Sequence, residues 1–447
     1  MCRKHLVSGG APDRCNVLLA GSGGREHALA WKLRQSPRLG KLWVDPNANA
    51  GLLQLGTPCP QSLDPRNRFH LKRFLEKEKI HLVVVGPETL LQQGIADALS
   101  NPPHCFVFGP TQSAARLEWD KAWCKQLLHT ANVPTAESRI FSSQQLDAAL
   151  HFVQSRADPV VVKANGLCAG KGVVVCDNTA QAEATVREML KSQTQGDAGS
   201  QIIIEERLHG QEISVLALVD GGTIWMLDAC QDHKQVGEGD TGANTGGMGA
   251  YCPTALATEE VMRFVEREVM VPTVDALRRD GIEYRGVLYA GLMLTHSGPK
   301  VLEFNCRFGD PETQALMMRW QGDLLDALYR TAQGTLDGAD ISFTPDASCC
   351  VVVCAQGYPG TPRVGDAIQG LNHPQSEALQ YFHAGTKPSA VSGGPAFTAG
   401  GRVIGVTATG TDMRSACAAA TEYAKGVQFP GAFFRSDIGQ RAGILSS

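Results

Sequence analysis

A chain of 447 residues, 43% hydrophobic and 19% charged, is globular and too long for one ordinary domain, so about two to four are expected. Its 41 basic and 45 acidic residues leave a net charge of −4, which favours neither nucleic acid nor a membrane surface as partner. No apolar run approaches the ~18 residues of a membrane span, and the 14 cysteines are scattered without a Cys-x-x-Cys pair. Buried thiols in a reducing, cytoplasmic setting are therefore expected, in preference to a zinc site or disulfides.

Residues 1–15 read as a disordered extension, and a first folded unit is expected over residues 16–119. Val17-Leu18-Leu19-Ala20 is a short apolar strand, Gly21-Ser22-Gly23-Gly24 a turn, and Glu26 to Gln35 a helix. Leu42-Trp43-Val44, Leu82 to Val85 and Phe106-Val107-Phe108 repeat the strand pattern, with helical stretches such as Leu71 to Lys79 between them. This alternation predicts a parallel sheet with helices on both faces, and ligands beyond the carboxyl ends of its strands. Those ends carry the Gly21 loop, Gly86-Pro87-Glu88 and Gly109-Pro110.

A second unit is expected over 120–345, with a flexible lid at about 135–205. It opens with a helix near Lys121 to Thr130, then Val160-Val161-Val162, a glycine-rich hairpin and Val173-Val174-Val175. Further strands are expected at Ile202-Ile203-Ile204, Ile213 to Val219 and Val301 to Phe308. Six glycines among the thirteen residues from Gly237 to Gly249 predict a loop. A last unit, 346–447, has strands near Val351 and Val403.

Three segments carry chemistry. The Gly21-x-Gly23-Gly24 turn between strand and helix offers backbone N–H groups to a phosphate, but it lacks the G-x-G-x-x-G spacing and a clear acidic partner, Asp45 being the nearest. A nicotinamide site, another phosphorylated ligand and a plain structural turn all remain open for it. Lys163 to Gly172 is a hairpin whose tip carries Gly170-Lys171-Gly172, fit to close over a triphosphate, or an ordinary hairpin with solvated lysines. Downstream, Glu205 and Glu206 end an apolar strand; main-chain groups from Glu206 through Arg207 to Leu208 and the carboxylate of Glu212 would suit an adenosine pocket. In Val301 to Phe308, period-two alternation puts Glu303, Asn305 and Arg307 on one face and Leu302, Phe304, Cys306 and Phe308 on the other. A carboxylate and an amide oxygen suit magnesium, and the guanidinium suits a transferring phosphoryl group. The bland reading is the wet face of an antiparallel strand.

Taken together, these residues resemble the ATP-grasp superfamily and, within it, the phosphoribosylamine–glycine ligases. The specific strings are Gly21 to Ala28, Gln231-Asp232-His233-Lys234, Asn244-Thr245-Gly246-Gly247-Met248-Gly249-Ala250-Tyr251, Leu302 to Glu312, and His383-Ala384-Gly385-Thr386. The resemblance implies an α/β fold (α+β overall): a Rossmann-like N-terminal domain, an ATP-grasp fold and a small β-rich C-terminal domain. It implies ATP-dependent ligation of glycine to 5-phosphoribosylamine through a glycyl phosphate, with Mg2+ or Mn2+, in purine synthesis. Transient contact with neighbouring enzymes of that pathway is in keeping with it.

By matching position, Lys121, Lys163, Gly170, Lys171 and Gly172 would hold the ATP phosphates, and Glu205, Glu206, Arg207, Leu208 and Glu212 the adenosine. Glu303 and Asn305 would bind the metal, and Arg307, Lys234, Asp232 and Asp310 would surround the acyl phosphate or glycine. Gly21, Gly23, Gly24, Arg25, Glu26, Asn244, Thr245, Gly246 and Gly247 would contact substrate. The chain departs from the family at Asn47 in Pro46 to Gly51, at Asp120 where a serine is usual, at Gln235 for arginine and at Ala243 for proline. The carboxylate of Asp120 is expected to weaken the positive potential beside Lys121.

Overall fold

The computed structural model describes residues 9–167, 172–191, 201–371, 376–391 and 393–440. Its first sheet is parallel throughout, in the order Thr57–Pro58, Leu39–Val44, Cys15–Ala20, Ile80–Val85, Phe106–Phe108. Because side chains alternate along a strand, Leu18 and Ala20 face one apolar core while Val17 and Leu19 face the other. Val83 and Val85 against Leu82 and Val84 repeat this on the neighbouring strand, so both faces are covered, as a parallel sheet requires. The first helix runs Gly24–Leu33, two residues earlier than expected at either end.

The extension expected through residue 15 is not separate from this body over residues 9–15. Ala11 is buried, its N–H donates to Asp326 at 2.7 Å and its carbonyl accepts from Arg38 at 2.6 Å; Cys15 already belongs to the first strand. The expectation for residues 1–8 lies outside the described residues.

Two four-stranded antiparallel sheets form the middle of the chain. One has the order Ser138–Ser142, Gln201–Glu206, Val160–Ala164, Val173–Val175; the other Ile224–Met226, Gln211–Asp220, Arg285–Thr295, Gly298–Asn305. The last strand ends at Asn305, so the alternation read through Phe308 continues only as irregular backbone. It also carries a bulge. Leu292 pairs with Val301 but Gly291 with Glu303, leaving Leu302 as the extra residue. This moves Leu302 off the buried face, where Val301 and Phe304 sit instead. The glycine-rich stretch from Gly237 is likewise more ordered than a loop, since Gln235–Gly237 and Thr241–Asn244 pair as a hairpin.

The last sheet has the order Gln231–Asp232, Gly249–Cys252, Ala347–Cys354, Arg402–Gly410, Leu379–His383. Two of its strands come from the middle of the chain, so the sheet crosses the expected boundary at residue 346. Helix Met413–Gly426 packs on it through Ala416, Ala420 and Ala424.

Candidate active site

A cleft of about 600 Å³ opens where these parts meet, lined by residues of the first sheet's loops, both middle sheets and the last unit. Lys121 enters from the start of helix Lys121–Thr130, and its ammonium donates to the carbonyl of Gly166 on the hairpin. Asp120, the departure expected to weaken the positive potential here, caps that helix by accepting from Trp123 N–H at 3.1 Å. Its carboxylate is paired with Arg116 at 2.8 Å. Burial pushes its carboxyl up, but the bonds from Arg116, Trp123 and Asn165 outweigh that and hold it low. The charge is therefore met locally, and an aspartate does the capping a serine would do.

Lys163, next to last in the strand Val160–Ala164, lies 3.0 Å from one oxygen of the buried Glu205; Lys125 lies 3.2 Å from the other. Lys163 also donates to the carbonyl of Leu302 at 3.0 Å, a group that the bulge turns into the cleft. Gly172 lines the cleft, whereas Gly170 and Lys171 lie outside the described residues. Glu205 is thus a partner of lysines rather than an open acceptor for a nucleoside.

The other expected adenosine groups stand apart from the lining. Glu206 pairs with Lys300 at 2.8 Å, Arg207 with Asp177 at 2.9 Å and Glu212 with Lys234 at 2.9 Å; Leu208 follows in the turn. The backbone N–H groups of Glu206 and Arg207 donate to Glu137 and Pro159.

Glu303, Asn305 and Arg307 do face the cleft together. Burial works against the charge of Glu303, but Lys234, Lys163, Lys121 and Arg307 hold its carboxyl below the usual range. Conversely, Lys234 is desolvated, yet Glu212, Asp232 and Glu303 keep it charged far above an ordinary lysine. The guanidinium of Arg307 donates to Asn305 Oδ1 at 3.1 Å and sits between Glu118 at 3.2 Å and Glu88 at 3.4 Å. Among the described residues no group of three or more His, Cys, Asp or Glu could hold a metal by itself. One carboxylate and one amide oxygen at a strand end fit a magnesium ion that completes its shell with water and phosphate oxygens.

Asp310 joins three parts of the chain. It accepts from Gln314 at 2.8 Å and from the backbone of Arg25, and it pairs with Arg402 at 3.3 Å. Burial raises its carboxyl, but Arg402 and Arg25 lower it more. Arg402 also donates to the carbonyls of Gly246 and Asp310, so the last unit braces the cleft wall.

Of the expected substrate group, Arg25, Thr245 and Gly246 line the cleft, and Asn244 and Gly247 flank them outside the lining. Gly21, Gly23, Gly24 and Glu26 lie behind it. The Glu26 carboxylate caps its own helix through Gly23 N–H at 2.7 Å and pairs with Arg25 at 2.6 Å. A Cβ at Gly86 would sit 1.9 Å from Glu26 Oε1, so any other residue there would push this carboxylate out of its cap. Asp45 accepts from the N–H groups of Gly21 and Asn47 and lies outside the cleft lining, so it ties the turn together and does not face the cleft as a ribose acceptor would. Asn49, in the altered segment, bonds the carbonyls of Ser22 and His383.

Sequence reasoning missed Lys125, Glu118, Arg402 and the pair Ser214 and Tyr289, whose hydroxyls meet at 2.8 Å and reach Glu312 at 2.6 Å; Glu88 and Glu312 were named within their strings but given no role. Lys125, four residues after Lys121 on one helix face, is the one with a local signal.

Lysines from one antiparallel sheet facing a Glu-x-Asn-x-Arg strand end from another define an ATP-grasp enzyme. Models of the phosphoribosylglycinamide synthetase N domain, ATP-grasp (A) domain and C domain match residues 15–118, 119–313 and 348–441. The chain belongs to the phosphoribosylglycinamide synthetase family. Phosphoribosylamine–glycine ligase of Rhodopirellula baltica is 44% identical over 438 residues, spanning 96% of this chain and 98% of that protein. The ligase of Xanthomonas axonopodis pv. citri is 45% identical, spanning 95% and 97%. The crystal structure of the Thermotoga maritima phosphoribosylamine–glycine ligase matches with a TM-score of 0.78 at 29% identity, covering 95% of this chain and all (100%) of that one. A biotin carboxylase from Campylobacter jejuni, 15% identical with a TM-score of 0.68 over 94% of this chain and 93% of its own, shares the fold.

Proposed function

We propose that this chain joins glycine to 5-phosphoribosylamine at the expense of ATP, forming glycinamide ribonucleotide in purine synthesis. The observation that carries this is the meeting of Lys121, Lys163, Lys234, Glu303, Asn305 and Arg307 in one cleft walled by all the matched domains. A carboxylate is a poor electrophile. A glycine carboxylate oxygen attacks the γ-phosphorus of ATP, ADP leaves, and glycyl phosphate results. The amine nitrogen then attacks the glycyl carbonyl carbon, loses a proton, and phosphate departs.

Lys121 and Lys163 offset the triphosphate charge, with Gly170-Lys171-Gly172 closing over it, and Glu205 shared with Lys125 fixes where Lys163 points. Glu206, Arg207, Leu208 and Glu212, outside the lining and paired with Lys300, Asp177 and Lys234, would meet the nucleoside only at the cleft's edge. Glu303 and Asn305 would hold magnesium or manganese, which neutralises phosphate charge when bound. Arg307, Lys234, Asp232 and Asp310 surround the acyl phosphate and glycine. Arg25, Thr245 and Gly246 bound the amine side of the cleft; Gly21, Gly23, Gly24 and Glu26 hold Arg25 in place behind it, and Asn244 and Gly247 flank Thr245 and Gly246.

Among the described residues no helix is long and apolar enough to cross a membrane, and the cysteines there are free and buried. A cytoplasmic setting, with transient contact to neighbouring pathway enzymes, completes the proposal. Coupled ADP release should require both glycine and freshly generated phosphoribosylamine. Turnover that ignores the amine, or proceeds with another amino acid in place of glycine, overturns it.

A further inference from the structure

The hairpin Gln235–Gly237/Thr241–Asn244 has little of its own to hold it. Thr241 to Asn244 are exposed, and Val236 alone packs against the last unit's core. Yet it connects two parts of the cleft lining. Lys234 precedes it, Thr245 and Gly246 follow it, and both the N–H and the hydroxyl of Thr245 donate to the Lys234 carbonyl. Whatever fixes the hairpin therefore fixes the position of Lys234.

The segment Arg435–Asp437, some 200 residues away in sequence, lies across it. Arg435 is 2% exposed and donates to the Gln235 carbonyl and to Asp240, each at 3.0 Å. Its other nitrogens grip Asp437 at 2.7 and 2.6 Å, and Asp437 accepts from Gly239 N–H at 2.8 Å. Between them, Ser436 donates its N–H and hydroxyl to Glu238 at 3.2 and 2.6 Å. Ile438 then enters the core against Gly249, where a Cβ would meet it at 2.9 Å. Each residue at the hairpin tip from Glu238 to Asp240 thus has a partner in this segment, and one end is charged and buried.

We propose that Arg435 and Asp437 are positioning residues: a strap near the end of the chain that locks the hairpin and thereby sets Lys234, Thr245 and Gly246 against the glycine and amine side of the cleft. ATP, held by the lysines of the other sheet, does not depend on it. The kinetic part rests on the ligase reading above; the structural part does not.

The test uses the full chain carrying Asp437→Asn, with Ser436→Ala as a milder second variant should the first fold poorly. Hydrogen exchange over 237–246 should quicken about tenfold, the scale of one lost charge-assisted bond. KM for glycine or the amine should rise about as much, with KM for ATP moving less than about twofold. Unchanged exchange in the hairpin of a folded variant overturns the strap, and so does a KM for ATP that rises in step with the others. A wild-type enzyme with no glycine-dependent turnover would refute the ligase reading, and the exchange arm would still decide the strap.

Discussion

Lys163 Nζ lies 3.0 Å from the carbonyl oxygen of Leu302, linking the sheet that bears the hairpin to the strand that bears Glu303. The contact exists because Leu302 is the extra residue of a bulge, which turns its carbonyl out of the ladder. One ammonium thus reads three things at once: Glu205, the bulge and the open cleft.

Replacing Lys163 with alanine should weaken binding of a nonhydrolysable ATP analogue about tenfold or more, the cost of about 1.4 kcal/mol or greater expected for a lost charge-assisted contact. Lys125 remains on Glu205 at 3.2 Å, so the carboxylate is not stranded and the protein should stay folded. Titration calorimetry with unchanged affinity would remove Lys163 from the nucleotide site.

Glu303→Gln should raise the magnesium concentration needed for half-maximal turnover about tenfold or more, on the scale seen when metal sites lose a supporting group. Glu303 faces the cleft and not the core, so its melting temperature should stay close to that of the wild type. A magnesium titration that superposes on the wild type would mean this strand face is merely wetted.

Asp310 supplies a pH signature. Its folded carboxyl titrates below the ordinary value of about 3.9, because Arg402 and Arg25 outweigh burial. A depressed carboxyl contributes stability above its unfolded pKa and loses it as pH falls through the folded value. The stability gap between wild type and Asp310→Asn, about 1–3 kcal/mol, should be flat from pH 8 to about 5 and shrink below about pH 4. Melting curves across that range check it; a gap that widens in acid would contradict the ion pair with Arg402.

Asp120→Ser should be nearly neutral, and Asp120→Ala should cost about 1 kcal/mol through the lost cap on helix Lys121–Thr130. KM for ATP should change little with serine. A marked drop in KM with serine would show that the aspartate does weaken the phosphate field despite Arg116.

Elements were legible where one periodicity ruled. Helix Lys121–Thr130 and the strand Val173–Val175 fall where the pattern placed them, and the covered parallel sheet follows from its apolar runs. The row Glu303, Asn305, Arg307 was legible for the same reason. Leu302 was not, since a bulge breaks period two without changing residue type. Nor were Arg402, which reaches Gly246 from 156 positions away, or Glu118, which meets Arg307 from 189 positions away. Nothing local announces such partners; only the folded path brings them within reach. Glu205 shows the converse: grouped by its strand-end position with the adenosine residues, it is engaged by two buried lysines, Lys125 and Lys163, that no local pattern ties to it.

The last sheet draws Gly249–Cys252 from the middle of the chain to flank Ala347–Cys354, every residue of which is buried, with Gln231–Asp232 outside it. Cutting the chain near residue 346 would therefore not release a small folded unit. It would strip the strand Gly249–Cys252 from one side of Ser348 to Val351 and leave N–H and C=O groups there as a template for another chain. A fragment beginning there should precipitate or self-associate, and the preceding piece should lose the backing of Asp232. Function and solubility are tied to the same seam, so a gene encoding this region apart from the rest would yield neither.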